Sequence, residues 1–210
     1  MSVRIKKTVL SQMDTNCYLL IDEETKEAAV VDPGEYNEKL SAMLQNENTE
    51  KLKYILLTHG HFDHIGAAKK LCENYGGKIV IHKDDEKCFC DKNASLAEFF
   101  TPNEVYPEKA DITVEDGDTL SLGNSKIKVL HTPGHTPGGV CFLLDEFMFS
   151  GDTLFSGSIG RSDFPGGDMM TLLKSVKKIS SLNGDFMIFP GHGEDTTLNK
   201  ERLTNLYCNL

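Results

Sequence analysis

The segment Thr58-His59-Gly60-His61-Phe62-Asp63-His64 packs three histidines and one aspartate into six consecutive positions. An apolar stretch, 53–57, precedes it. After it, Ile65, Ala68, Leu71 and Cys72 recur at helical spacing until Gly76-Gly77. A chain built this way has to bring a buried strand, its carboxyl end and the start of a helix to one point, which is where α/β folds gather their ligand groups. Imidazole nitrogens suit Zn²⁺ or Fe²⁺, and a carboxylate suits a harder neighbouring position. Four local donors cannot fill two metal shells. Further candidates stand beside glycines after other apolar stretches: His135 in Thr132-Pro133-Gly134-His135, Asp152 in Ser150-Gly151-Asp152, and His192 in Pro190-Gly191-His192-Gly193. Taken singly, each is a turn residue or a hydrogen-bonded histidine. Taken with 58–64, they point to one shared metal site.

The remaining pattern places these loops in a larger frame. Residues 3–10, 17–22 and 28–31 read as strands, 35–45 as a helix, 53–57 as a strand, 64–75 as a helix and 78–81 as a strand. Residues 83–110 lack a clean period and suggest a lid or binding insertion, with a short helix around Leu96, Phe99 and Phe100. Strands follow at 112–115, 119–122, 126–131, 139–144 and 147–150. Then come a glycine-rich loop at 156–167, a helix at 168–179, a strand at 186–189 and a helix from about Leu198. Strands in both halves, each half with its own helices, predict two sheets packed together and covered by helices outside. Two hundred and ten residues suffice for one such domain, 1–210.

Composition removes several classes. The net charge of −10, with no block of Lys or Arg, argues against a nucleic-acid partner. The longest apolar runs, 54–57 and 140–144, are too short to span a bilayer, so no membrane partner is expected. The opening Met1-Ser2-Val3-Arg4-Ile5-Lys6-Lys7 lacks the apolar run and small-residue site of a signal peptide, and a cytoplasmic protein is expected. The six cysteines form no Cys-x-x-Cys pair and read as reduced, structural thiols.

The motifs together resemble the metallo-β-lactamase-fold hydrolases, and within them the glyoxalase II-like (hydroxyacylglutathione hydrolase) branch. The resemblance runs over nearly the whole chain: Asn16-Cys17-Tyr18-Leu19, Val31-Asp32-Pro33-Gly34, the stretch 58–67, 132–139, Gly151-Asp152-Thr153-Leu154-Phe155, 160–168 and Pro190-Gly191-His192-Gly193. It implies an α/β fold, a four-layer αββα sandwich with a dinuclear metal site at the sheet edge. It also implies that His59, His61 and His135 hold one divalent metal, that Asp63, His64 and His192 hold the other, and that Asp152 bridges them. The two ions are expected to be Zn, with Fe or Mn as alternatives. Asp32 is placed beside the ligands, either hydrogen-bonded to a histidine or simply forming the turn before Pro33. His82 and His131 match no ligand position. The chain stops at 210 without the C-terminal helical domain of the larger glyoxalase II enzymes, a short form in which glutathione specificity is open.

The chemistry that the resemblance implies is metal-dependent hydrolysis of a small-molecule thioester. A thiolate leaves readily, its conjugate acid having a pKa of about 8.5, so no dedicated general acid is needed, and the sequence offers no obvious one. Asp63 is the residue expected to orient the hydroxide while ligating. Arg161, in Gly160-Arg161-Ser162, stands where similar enzymes place a basic residue for the thiol carrier; the alternative is a surface pair with Asp163 or Asp168. The rival readings are a persulfide dioxygenase with one iron, and a lactonase or β-lactamase.

Overall fold

In the computed structural model, which describes residues 3–101 and 109–210, β1 (Val3–Leu10), β2 (Thr15–Asp22) and β3 (Ala28–Val31) form an antiparallel meander. Helix α1 (Glu38–Asn46) leads to β4 (Tyr54–Leu56), which lies parallel to β3. After α2 (Phe62–Ile65) and α3 (Ala68–Tyr75), β5 (Lys78–His82) adds in parallel. Two short helices, α4 (Glu86–Cys90) and α5 (Ala97–Phe100), precede β6 (Ile112–Val114), which closes a sheet of order β1-β2-β3-β4-β5-β6. The second sheet is built from β7 (Thr119–Leu122), β8 (Ser125–His131), β9 (Val140–Leu144) and β10 (Phe147–Gly151). A small hairpin, β11 (Leu154–Phe155) with β12 (Ser158–Ile159), and helix α6 (Met169–Ser180) follow. Strand β13 (Met187–Pro190) joins β10 in parallel, and β14 (Thr196–Thr197) runs into α7 (Leu198–Thr204), giving the order β14-β13-β10-β9-β8-β7.

Strand periodicity explains the layering. Successive residues of a strand face opposite sides of its sheet. In β2, Tyr18 and Leu20 enter the core between the sheets, where they meet Ile127, Val129, Phe142 and Phe149 of the second sheet. Leu19 and Ile21 of the same strand face α1 and α3, packing with Leu40, Leu44, Ala68 and Leu71. On the far side, Cys141, Met148 and Ile188 meet Leu172, Val176 and Ile179 of α6. Two sheets each buried on both faces, with helices outside, form the αββα sandwich expected from the sequence. No helix among the described residues is long and apolar enough to cross a membrane.

Some elements differ from the sequence pattern. Helix α1 begins at Glu38 rather than 35, because the Asn37 side chain accepts from the amides of Lys39 and Leu40 and caps it there. The helix expected at 64–75 is two helices. The Ala67 amide donates to the Pro33 carbonyl (2.8 Å), tying the break to the turn after β3. Of the expected lid, residues 102–108 lie outside the described residues, whereas Asp85, Phe89, Ser95 and Ala97 are buried and belong to the core.

Candidate metal centre

All the loops that carry candidate donors leave one edge of the sandwich. Asp32 follows β3, His59 to His64 follow β4, His135 follows β8, Asp152 follows β10, and His192 follows β13. The edge is drawn together across the two sheets. Asn16 Nδ2 donates to the carbonyls of Pro190 (2.9 Å) and Gly193 (3.0 Å), and the Tyr18 hydroxyl donates to Pro190 (2.7 Å), so β2 holds the loop that bears His192. Close approach demands glycine at Gly191, where a Cβ would overlap Asp152 Oδ1, and at Gly160, where it would overlap the Asp152 carbonyl.

Seven side chains converge there. His59, His61 and His135 offer donor atoms within 4.8 Å of one another, and so do Asp63, His64 and His192. Asp152 reaches both groups, with Oδ2 3.5 Å from His135 Nε2 and 3.5 Å from His192 Nε2, and Oδ1 3.5 Å from His64 Nε2. Neighbouring groups fix ring orientation. His135 Nδ1 donates to the Arg161 carbonyl (2.6 Å), and His64 Nδ1 donates to Asp32 Oδ2 (3.0 Å), so both Nε2 atoms point inward. Asp32, at φ 49, also accepts from the Thr58 amide (2.8 Å) and hydroxyl (2.7 Å). Of the two roles the sequence leaves to Asp32, the bond to a histidine is present. Asp63 Oδ2 accepts from the Thr15 hydroxyl at 3.0 Å.

The electrostatics are those of a site built around cations. Burial, reinforced by neighbouring imidazoles, holds His59 well below the usual histidine range and His61 at about 3, so both are neutral donors. Burial alone would also lower His64, but Asp63, Asp152 and Asp32 outweigh it and raise it to about 10. Burial of Asp63 is likewise outweighed by His64 and His192, which hold its carboxyl below the ordinary range. Two buried atoms at the centre, His59 Nε2 and Asp152 Oδ1, have no hydrogen-bond partner. Buried polar atoms are ordinarily satisfied. Inward-facing imidazole nitrogens approach one another to 2.9 Å in one group (His61 Nδ1 to His135 Nε2) and 3.3 Å in the other (His64 Nε2 to His192 Nε2). Five imidazoles and two carboxylates are a donor set that fits two borderline divalent cations.

Sequence reasoning missed Asp85. This fully buried carboxylate accepts from the Gly60 amide (3.0 Å), the Thr136 hydroxyl (2.7 Å) and the Gly138 amide (2.6 Å). It clasps the loop of His59 and His61 to the loop of His135. Its only trace in the sequence is an acidic residue just past the apolar run 78–81. His82 and His131 stand apart from the centre, with rings stacked at 4.0 Å. Arg161 forks onto Asp163 (2.6 Å for both bonds) and lies 3.9 Å over the Phe164 ring, so the surface pair considered as the alternative does form. A cleft of about 550 Å³ opens in front of the centre. His61, Asp63, Asp152 and His192 form part of its wall, with Phe62, Phe100, Phe155 and Phe164, and Arg161 is its only guanidinium or ammonium group among the described residues.

Residues 11–192, which include every candidate donor, match the model of the metallo-beta-lactamase superfamily. The chain belongs to that superfamily. It is 40% identical over 200 residues to the hydroxyacylglutathione hydrolase GloC of Haemophilus influenzae, an alignment covering 92% of each chain. Among solved structures, it superposes on the BLEG-1 B3 metallo-beta-lactamase with a TM-score of 0.89 and 33% identity, covering 99% of this chain and all of that one. It superposes on TTHA1623 in a di-iron-bound form with a TM-score of 0.82 and 36% identity, covering 96% and 99%. This superfamily member is a metal-dependent hydrolase.

Proposed function

We propose that the enzyme hydrolyses thioesters of the hydroxyacylglutathione type, as a member of the glyoxalase II-like branch whose residues 1–210 make one domain. The observation that carries the reading is the convergence of seven donors, two of which, His59 Nε2 and Asp152 Oδ1, are buried with no hydrogen-bond partner. The likeness to GloC over 92% of both chains supports the substrate class. In this reading His59, His61 and His135 hold one cation, Asp63, His64 and His192 hold the second, and Asp152 spans them. We take Zn as the first candidate, with Fe or Mn as alternatives; the di-iron-bound relative supports keeping iron among them. A cytoplasmic setting agrees with six unpaired cysteines.

When bound, the cations supply Lewis acidity and bring the pKa of water toward about 7. The chain's own groups then position the reactants. Asp63, braced by Thr15, orients the attacking oxygen toward the carbonyl carbon. Asp32 keeps the His64 ring in place, and the Arg161 carbonyl does the same for His135. Water gives one proton to solvent and its oxygen joins the carbonyl carbon, the C–S bond breaks with its electron pair leaving on the thiolate, and the new carboxylic acid releases its proton to solvent. At the rim, Arg161 would meet a carboxylate of the thiol carrier, displacing Asp163.

Metal analysis together with release of thiol from S-lactoylglutathione tests the reading. Close to two Zn, Fe or Mn per chain and thiol release are expected. One tightly held iron, with oxygen consumed on glutathione persulfide, would replace the reading with a dioxygenase. The superposition on BLEG-1 supports a second reading, opening of a β-lactam ring, which a chromogenic β-lactam assays directly.

A further inference from the structure

A second, smaller lobe of about 140 Å³ adjoins the main cleft and shares Met13, Phe62, Asp63 and Phe100 with it. Its apolar walls are Met13, Phe62 and Phe100, and the rings of Phe62 and Phe100 stack at 4.6 Å and 8°. Gly34 borders the lobe and packs closely on the Asp63 carbonyl, which a Cβ there would overlap. Glu35 borders the lobe, its Oε2 held by the Ser11 amide (3.0 Å) and Asn37 Nδ2 (3.1 Å). Among the described residues, no Lys or Arg lines it. Engineered apolar cavities of about 150 Å³ hold benzene, so the lobe has room for a ring or a chain of similar bulk.

From this we infer that the lobe receives the acyl group of the substrate, and that among thioesters of this type it prefers a neutral, ring-sized acyl group to a small or acid-ended one. The inference rests on the thioester-hydrolase reading. Asp63 lies in the wall of both lobes, so a carbonyl held beside it has one substituent directed into each. The larger lobe has the guanidinium suited to a charged thiol carrier. The smaller has two phenyl rings and a fixed carboxylate, which favour an apolar group and repel an anionic one.

The test compares kcat/KM of the metal-loaded enzyme on S-acetyl-, S-phenylacetyl-, S-pentanoyl- and S-glutarylglutathione, each normalised to its uncatalysed hydrolysis. Phenylacetyl is expected to exceed acetyl by about tenfold or more, and pentanoyl to exceed glutaryl by a similar factor. Phe100→Ala should collapse the first ratio, and Glu35→Gln should shrink the second. Turnover with all four esters within twofold, or ratios that survive both substitutions, would overturn the inference and leave the thioesterase reading standing. If no thioester is cleaved, that reading falls, and calorimetric binding of the product acids then judges the lobe. Phenylacetate binding tighter than acetate and glutarate, with the difference lost in Phe100→Ala, sustains a neutral, ring-sized occupant; equal binding by all three overturns it.

Discussion

Asp152 and Asp32 do different work at opposite nitrogens of the His64 ring. Asp152 Oδ1 is buried without a hydrogen-bond partner, and the two carboxylate oxygens reach both histidine groups. Asp152→Ala should therefore leave an uneven metal load, below two ions per chain by elemental analysis, whereas His131→Ala should leave the load unchanged. Asp32 is buried and holds the His64 ring through its Nδ1 at 3.0 Å. Asp32→Asn should weaken metal affinity by about 10–100-fold, the range for partners that orient a ligand, as read by competition with a chromophoric chelator. Arg161 is a weaker case, because its fork is already engaged by Asp163 on an exposed surface. Substrate gains only the difference between two such pairs. Arg161→Ala should raise KM for an anionic thioester by roughly two- to fivefold, with kcat nearly constant and the effect fading as salt is added. Equal losses on a neutral thioester would mean that the side chain merely supports Phe164.

At the scale of elements, the centre depends on loops that are stitched to one another rather than on the strands alone. The turn after β5 supplies Asp85, which ties the loop after β4 to the loop after β8 by three hydrogen bonds. Removing the carboxylate strands two amides and a hydroxyl in a dry interior, at about 1–3 kcal/mol for each group left unsatisfied. Asp85→Ala should lower the midpoint of urea unfolding markedly. It should also reduce affinity for the ion proposed at His59, His61 and His135 more than for the other, because the clasp joins those two loops. A loss of stability with both affinities intact would reduce Asp85 to a core residue. The break between α2 and α3 has the same character. An amide contact to the turn at Pro33 sets the axis of α2, and with it the directions of Asp63 and His64.

For the whole molecule, the metal centre joins the two sheets at their shared edge. His59, His61, Asp63 and His64 come from the first sheet, and His135, Asp152 and His192 from the second. Ions bound there stabilise the folded chain against an unfolded one in which the donors are scattered. At a metal concentration a thousandfold above Kd, the gain is about 4 kcal/mol. For a chain of this size each kcal/mol moves Tm by about 2–4 °C, so chelation should lower Tm by roughly 8–16 °C. Recovery of Tm with one equivalent of metal per chain rather than two would argue for a mononuclear centre.

The sequence by itself determined what local physics controls. Period-two apolar runs became strands, and the dense cluster at 58–64 put four donors at one strand end, since neighbours in the chain are neighbours in space. The glycines beside His135, Asp152 and His192 marked loops where backbone approaches closely, and the resemblance they carried named the sandwich. Only the tertiary structure decided which distant groups meet. His64 and His192 are 128 residues apart and reach 3.3 Å because β10 and β13 pair in parallel and β2 of the other sheet grips the loop between β13 and β14. Asp85 and the Phe62–Phe100 wall were illegible for the same reason. A buried carboxylate and an exposed phenylalanine have no local pattern of their own, and their roles arise from partners supplied by the packing of separate elements.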